Sequence, residues 1–275
     1  MKKVISLVFA LILLVCLGVP AFASYGDFYA ESWEELVEFL DELEDGDEYN
    51  IEIAANAYGD VYPQKTTAEI DADNVNLKFG GVEEIWDQSD NGVDGAIFEI
   101  NGEGVTLDFN GIQMQSNGNP AIVVDGDRCT IKNATFYHCK NKGGKGGGIR
   151  ITDNDPYCRV EKCFFNGCEA KYGGGIYIDA DYATISECTF KDCKSEKEGP
   201  DVYDNEGEST VDTCSTNNSE WVNPFADVKE VLKCTFGPSS IASMLSEGNL
   251  WIVLAVAVVA VGTVGVLIVR KKKKS

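Results

Sequence analysis

The sequence of 275 residues carries 45 acidic and 23 basic residues, a formal net charge of −22. Seven of the basic residues lie at the two ends, which leaves 16 and a net charge of −29 for the chain between them. So acidic a surface argues against nucleic acid and anionic lipid headgroups as partners, because both bind basic patches. The length is enough for one sizeable domain with targeting segments.

The segment 1–23 has the pattern of a secretory signal peptide. A basic start at residues 2–3 precedes an apolar run over residues 4–19, and Ala-Phe-Ala at residues 21–23 stands before Ser24. This order is typical of a leader that is cleaved after its small residues. The sequence therefore predicts export and a mature chain that begins at Ser24.

Residues 24–48 are predicted to contain a short capping helix. Ser32 and Glu35 form a capping box, with Ser32 at the N-cap position and Glu35 at the third helical position. Apolar residues then recur at helical spacing from Trp33 to about Leu43, which gives the helix one apolar face.

The segment 49–219 repeats itself, and apolar residues recur in columns. The first column has spacings of 24 to 30 residues and contains Leu77, Leu107, Ile131, Val160, Ile185 and Val211. The second column contains Val82, Ile112, Phe136, Phe165, Phe190 and Thr216. The third column contains Ile97, Ile122, Ile149, Ile176 and Val202.

A period in this range indicates a solenoid. Each unit holds short alternating apolar runs bounded by Gly, Asn and Asp, so each unit is read as strands joined by turns. The sequence predicts an all-β parallel β-helix in which like side chains stack about 4.8 Å apart and fill the core.

The run FFNGCEAKYGGGIYI at residues 164–178 resembles the right-handed parallel β-helix repeat of surface adhesins and polymorphic outer-membrane proteins. The order of the capping helix and the run GDEYNIEI before the repeats is similar to the start of many such domains. There a helix covers the open strand edge at the end of the core. The resemblance also extends to pectate lyases, so the fold alone does not separate an enzyme from a binding protein.

After the repeats, Asn223 and Pro224 predict the N-cap and first residue of a second helix, a C-terminal cap within residues 220–249. Residues 250–269 are uniformly apolar and match the roughly 20 residues that span a bilayer. The basic segment 270–275 is expected to stay in the cytoplasm. The sequence thus predicts a single-pass cell-membrane protein whose domain is extracellular.

The cysteines of the mature chain also fall into columns, with Cys234 outside them. The groups are Cys129 with Cys158; Cys163, Cys188 and Cys214; and Cys139, Cys168 and Cys193. Stacked thiols can act as small apolar core residues. Disulfides between adjacent coils are the alternative, because the strand spacing suits them and export permits them. The sequence favours reduced ladders.

One pair of residues is a candidate ligand-binding site. Arg150 and Tyr177 occupy equivalent outward positions on neighbouring coils, beside Val123 and Phe98, and an arginine beside aromatic rings can bind a sugar. A solvated face is the alternative, and it is the more common role of such residues. The only histidine, His138, has no catalytic partner at a suitable spacing. We therefore assign no catalytic residue.

Acidic residues recur in the turn after the third-column strands. The candidates for a Ca²⁺ site are Asp125, Asp127, Asp153, Asp155, Asp179 and Asp181, and Asp204 with Glu206 continues the series. Carboxylates one strand apart repel each other, and a hard divalent cation would relieve the repulsion. Solvated turn residues are the alternative that the sequence favours, since Asp is an ordinary turn residue.

The function predicted from these features is binding, adhesion or structural display at a cell surface, with a glycan or another cell surface as partner. The alternative is a polysaccharide lyase or glycoside hydrolase that acts on acidic glycans, as the resemblance to pectate lyases implies. Such enzymes use a basic residue beside calcium-binding acids, or a pair of carboxylates.

Overall fold

The computed structural model describes residues 24–56, 58–61, 66–86, 95–152, 157–217 and 224–236. The signal peptide 1–23, the membrane span 250–269 and the tail 270–275 lie outside these residues, and all three stay predictions. No helix in the part of the chain that the structure describes is long and apolar enough to cross a bilayer.

The described strands form a parallel β-helix, in which successive coils contribute strands to three main sheets. Sheet A has nine strands, sheet B eight and sheet C seven. A smaller sheet D of three strands lies between sheets B and C along the chain. Strands in register from coil to coil place equivalent residues of successive repeats directly beside each other.

Sheet A consists of β1 Tyr25–Ala30, β2 Glu48–Ile53, β5 Asn76–Gly80, β8 Thr106–Asp108, β11 Thr130–Lys132, β15 Arg159–Glu161, β19 Thr184–Ser186, β23 Thr210–Asp212 and β26 Glu230–Leu232. Sheet B consists of β3 Asp60–Val61, β6 Glu84–Trp86, β9 Gln113–Gln115, β12 Thr135–Tyr137, β16 Phe164–Asn166, β20 Thr189–Lys191, β24 Ser215–Asn217 and β27 Thr235–Phe236. Sheet C consists of β4 Ala68–Ile70, β7 Phe98–Ile100, β10 Ile122–Val124, β14 Ile149–Ile151, β18 Ile176–Ile178, β22 Val202–Asp204 and β25 Phe225–Ala226. Sheet D consists of β13 Lys140–Lys145, β17 Glu169–Tyr172 and β21 Lys194–Glu198.

The first predicted column is confirmed in sheet A, where Leu77, Leu107, Ile131, Val160, Ile185 and Val211 pair in register. The second and third columns are right in the later coils and wrong in the earlier ones. Met114 rather than Ile112 pairs with Phe136, and Phe98 rather than Ile97 pairs with Ile122.

The physical reason is the length of the corners between strands. In the later coils a single residue with a positive φ, such as Asn133 at 57°, turns the chain from sheet A to sheet B. In the coil before, Asn110 and Gly111 both have a positive φ, and the longer corner shifts the next strand. At the start of β7 the amides of Ile97 and Phe98 both donate to the carbonyl oxygen of Ala121, at 3.0 and 3.1 Å. Both side chains are buried, so the apolar pattern alone does not show that Phe98 is the column residue.

A stack of phenylalanine rings fills the core of the later coils. The ring centroids of Phe136 and Phe165 are 4.7 Å apart, and those of Phe165 and Phe190 are 4.8 Å apart, with 11° between the planes in each pair. The residue opposite the stack must be a glycine, because the rings leave no room there for a side chain. A Cβ atom on Gly148 would lie 2.8 Å from Phe165 Cε1.

Where the ring stack ends, a buried polar pair takes its place. Thr216 follows Phe190 in sheet B, and Asp201 follows Gly175 in sheet C. The Thr216 hydroxyl donates a hydrogen bond to Asp201 Oδ2, and both side chains are buried. The hydrogen bond allows these polar groups to be buried in the last coils.

At the N-terminal end, helix α1 Trp33–Asp41 covers the core as predicted. The Glu35 amide donates to Ser32 Oγ at 3.2 Å, which confirms the N-cap, while the Glu35 carboxylate accepts from the Glu31 amide at 2.7 Å. The indole Nε1 of Trp33 donates to the Thr66 carbonyl at 2.9 Å and ties the helix to the next coil. Strand β1 before the helix has no counterpart in the sequence prediction.

At the C-terminal end, the helix predicted from Pro224 is wrong up to residue 236. Strands β25, β26 and β27 form one more coil there instead. Val231 extends the first column by pairing with Val211, and Phe236 extends the second by pairing with Thr216. Phe225 and Val231 are buried core residues of two separate strands, β25 and β26.

All nine cysteines in the described chain are free thiols, and eight are buried. The prediction that Cys234 lies outside the columns is wrong, since the Cys214 amide donates to Cys234 Sγ at 3.3 Å. Burial raises the pKa of the Cys168 and Cys188 thiols, and hydrogen bonds with neighbouring thiols add to this. Protonated thiols suit a stacked, apolar core position.

Candidate functional site

Arg150 and Tyr177 lie next to each other on the outer face of sheet C, as predicted. Val123 precedes Arg150 in this outward file, and Tyr203 follows Tyr177. Glu99 occupies the outward position that was predicted for Phe98, and Phe98 itself is a buried core residue. Glu99 stands beside Val123, so an acidic residue and not an aromatic one begins this part of the face.

Sheet D brings a lysine to this face. The register between β13 and β17 shifts between Asn141 and Lys145, where the chain bulges. The Asn141 side-chain amide closes the bulge by donating to the carbonyls of Lys145 and Gly146, each at 3.0 Å. The bulge places Lys145 Nζ 4.5 Å from the centroid of the Tyr177 ring.

Three tyrosines gather at the junction of sheets C and D. The Tyr177 ring stacks on the Tyr203 ring with centroids 5.7 Å apart, and the Tyr172 ring lies 5.2 Å from Tyr203 at a tilt of 46°. Tyr177 is only 1% exposed, because neighbouring side chains such as Tyr203 and Lys145 pack against its ring. Tyr172 and Tyr203 are partly exposed and offer the accessible ring surface.

Hydrogen bonding and burial keep the groups of this cluster protonated. A hydrogen bond with the Tyr177 hydroxyl is the main cause that raises the pKa of Lys145, and the Asp179 carboxylate adds to it. Burial raises the pKa of Tyr177 and of Tyr203. At neutral pH the cluster therefore carries the positive charge of Lys145, whose Nζ forms an ion pair with Asp179 Oδ2 at 3.5 Å, beside neutral phenols.

Arg150 lies between this cluster and a group of acids on the same face. Its side chain is partly buried, and its Nε atom is buried without a hydrogen-bond partner. Burial raises the pKa of Glu99, and the negative charges of Asp125, Glu69 and Asp71 raise it further, while Arg150 lowers it. The guanidinium thus faces neighbouring acids at one end and tyrosines at the other.

The file of acids that follows sheet C alternates with neutral residues. The register of sheet C puts these residues at equivalent positions in successive coils: Asp71, Asn101, Asp125, Thr152, Asp179 and Asn205. Asn101 Nδ2 donates to Asp71 Oδ1 and Asn205 Nδ2 donates to Asp179 Oδ1, each at 2.7 Å. The neutral residues separate the carboxylates and relieve their repulsion without a cation.

The predicted series of acids therefore needs one correction. Asp204 does not belong to it, because it pairs with Ile178 at a buried position and its Oδ2 atom accepts from the Ser209 amide at 2.8 Å. Asp153 and Asp155 lie outside the described residues. Within the described residues no three potential metal ligands from His, Cys, Asp and Glu come together. The calcium site stays a prediction.

His138 stands at a corner, exposed and with a positive φ of 53°. Its ring lies 4.2 Å from the Tyr137 ring, and a Cβ atom on Gly167 would meet it at 2.5 Å. The corner position accounts for this histidine without a chemical role.

Sequence reasoning missed Glu99, Lys145, Tyr172 and Tyr203 as members of this face. Tyr203 could have been predicted from the sequence, because it follows Val202 of the predicted third column as Tyr177 follows Ile176. Lys145 and Tyr172 had no such signal, since a bulge in the Gly-rich segment 143–148 places them.

The coil-by-coil register of three parallel sheets around one apolar core defines this protein as a parallel β-helix. The chain matches the family model described as the right handed beta helix region over residues 74–236, more than half of its length, and it belongs to that family. No curated protein and no solved structure matches the chain.

Proposed function

We propose that the protein is an exported, membrane-anchored β-helix that displays a binding surface for an acidic glycan, as an adhesin does. The observation that carries this proposal is the strip formed by Lys145, Arg150, Tyr172 and Tyr203 on the outer face of sheets C and D. It combines cationic and aromatic groups on a domain whose net charge is strongly negative.

The chemistry of the strip fits a sugar that carries a carboxylate. A guanidinium forms paired hydrogen bonds with a carboxylate, and the Arg150 side chain is partly exposed on this face. The partly exposed rings of Tyr172 and Tyr203 offer rigid, amphipathic surfaces on which the apolar face of a sugar ring can pack. Lys145 supplies a second positive charge close to the rings.

Polysaccharide cleavage is the second candidate, and one observation favours it. Glu99 has a raised pKa and lies near Arg150, with Asp125 on the neighbouring coil. A carboxyl group with a raised pKa suits a general acid, and a basic residue beside acids suits a lyase. The binding proposal is preferred because the accessible rings of Tyr172 and Tyr203 lie on the side of Arg150 away from Glu99.

The experiment that tests the proposal measures binding of uronate-containing oligosaccharides to the mature chain by calorimetry, after a glycan array has selected the ligand. We expect Arg150→Gln and Tyr203→Ala each to weaken binding about tenfold or more, since each removes one direct contact. The matched controls are Arg159→Gln and Tyr182→Ala, which change exposed residues on the outer side of sheet A and at its corner. Equal affinity of all four variants would rule out this face as the site.

The same mixtures decide between binding and cleavage. Incubation with calcium and uronate polymers should leave the polymer length and the ultraviolet absorbance unchanged. A rise in absorbance from an unsaturated product, abolished by Glu99→Gln, would establish the lyase instead.

Protease added to intact cells should remove the β-helix and spare a tag placed after Ser275, whereas protection of the whole chain would contradict an outward orientation.

A further inference from the structure

Ser24, the first described residue, forms a hydrogen bond with a buried carboxylate. Its backbone nitrogen lies 2.6 Å from Oδ1 of Asp47, and Asp47 is only 4% exposed. The other oxygen, Oδ2, accepts from the Glu44 amide at 3.0 Å. The Ser24 carbonyl accepts from the Glu48 amide at 2.8 Å, so the start of β1 is held on both sides.

Asp47 is unusual among the acids of this part of the chain. Its neighbours Asp45 and Glu48 are exposed, as acidic side chains normally are. A buried carboxylate is stable when a positive charge accompanies it, and no lysine or arginine forms an ion pair with Asp47 among the described residues. Two backbone amides satisfy its hydrogen bonds but do not neutralise its charge.

We propose that Asp47 is a binding site for the α-ammonium group that processing creates at Ser24. The proposal goes beyond the glycan-binding function and rests on the predicted cleavage between Ala23 and Ser24. Hydrolysis of that peptide bond adds water, so the leader leaves with a carboxylate and Ser24 gains a protonated amine. The hydrogen bond from the Ser24 amide to the Asp47 carboxylate then becomes an ion pair between the same two atoms.

This pair links maturation to the stability of the first coil. The ammonium holds β1 at the edge of sheet A, where β1 pairs with β2 over six residues. The hydrogen bond is charge-assisted both before and after cleavage, but only the ammonium group neutralises the buried carboxylate. The precursor lacks this charge, so the N-terminal coil reaches its full stability only after cleavage.

The charges around the site favour a protonated amine. The titratable groups of the neighbouring segments are Tyr25 on β1 and the acids Glu44, Asp45, Glu48 and Asp73. The one lysine of the adjacent strand β5, Lys78, pairs with Asn50 and lies further along the strands. The negative charges of the four acids raise the pKa of the amine.

The direction of the pH dependence follows from this. An α-amino group has an ordinary pKa of about 8, and the Asp47 carboxylate should raise it in the folded chain. The ion pair therefore stabilises the fold fully below about pH 8. The stabilisation is lost as the pH rises through the raised pKa of the amine.

The test uses the mature chain, residues 24–275, purified with a free Ser24 whose nitrogen is ¹⁵N-labelled. Titration followed by NMR should give an α-amino pKa raised by about one unit or more above the ordinary value. In the Asp47→Asn variant it should return to about 8. The exposed helix acid Glu38 provides the control, since Glu38→Gln should leave the raised pKa unchanged.

A second measurement covers the case in which Asp47→Asn does not fold. A chain that carries Gly-Gly before Ser24 should melt several degrees below the free chain at pH 7, and the difference should vanish above the raised pKa. An ordinary amine pKa in the unmutated mature chain, or equal melting at pH 7, would overturn the proposal. N-terminal sequencing of the protein exported from its own precursor must give Ser24, and any other start would also overturn it.

Discussion

Replacement of Phe165 by alanine tests the core of this β-helix most directly. The side chain is completely buried, and rings cover both of its faces at centroid distances of 4.7 and 4.8 Å. We expect Phe165→Ala to destabilise the protein by about 4–5 kcal/mol. This is the upper part of the range for buried phenylalanine, because two ring pairs are lost together with the buried area.

The measurement is the free energy of unfolding of the purified protein in denaturant, followed by circular dichroism. The adjacent Phe164 provides a matched control, because it has the same side chain on the same strand β16 but points outward and is partly exposed. Phe164→Ala should cost clearly less, about 1 kcal/mol. An equal loss in both variants would refute the assignment of Phe165 to the core column.

A double-mutant cycle with Gly148 makes the test sharper. A Cβ atom on Gly148 would lie 2.8 and 2.9 Å from Cε1 and Cδ1 of Phe165, so Gly148→Ala alone should cost about 1–3 kcal/mol by overpacking. In the Phe165→Ala background the added methyl group enters the vacated space. The double variant should therefore be more stable than the sum of the single losses predicts, by about 1 kcal/mol. Strict additivity would show that the glycine does not make room for the ring.

Two further predictions concern buried ionisable groups. Burial raises the pKa of Asp204, so its ionisation opposes folding, and Asp204→Asn should raise the melting temperature at pH 7. The gain should shrink as the pH falls through the raised pKa of the folded state, and it should be gone below about pH 4, where folded and unfolded states are both protonated. Denaturation of the unreduced protein in maleimide should label all nine cysteines of the described chain, whereas labelling of a single thiol would mean four disulfides.

The sequence was sufficient for the fold because the first column repeats in every coil. Leu77 to Val211 could be aligned without a structure, since the strands of sheet A carry an apolar residue at each of those positions. The second column failed at Ile112, where the corner has two residues with positive φ, Asn110 and Gly111. The one-residue corners hold residues as different as Lys162 and Glu187, so the length of a corner has no fixed sequence signal.

The candidate site was predictable only in part for the same reason. Arg150 and Tyr177 follow from the register of the regular coils. Glu99 was missed because Ile97 and Phe98 are both buried apolar residues, and the sequence did not show which one belongs to the column. Lys145 was missed because of the bulge in β13. A bulge depends on hydrogen bonds such as those of Asn141, which involve residues four and five positions away and leave no periodic signal.

The alternation of acidic and neutral residues along the edge of sheet C has a consequence for how such a chain can change its length. The file reads acid, neutral, acid, neutral, acid, neutral from Asp71 to Asn205, so its true repeat is two coils. Duplication or deletion of a single coil in a gene would set two carboxylates, or two neutral residues, side by side. Duplication of a pair of coils would keep every amide beside a carboxylate, so growth by pairs is the change that this edge accommodates.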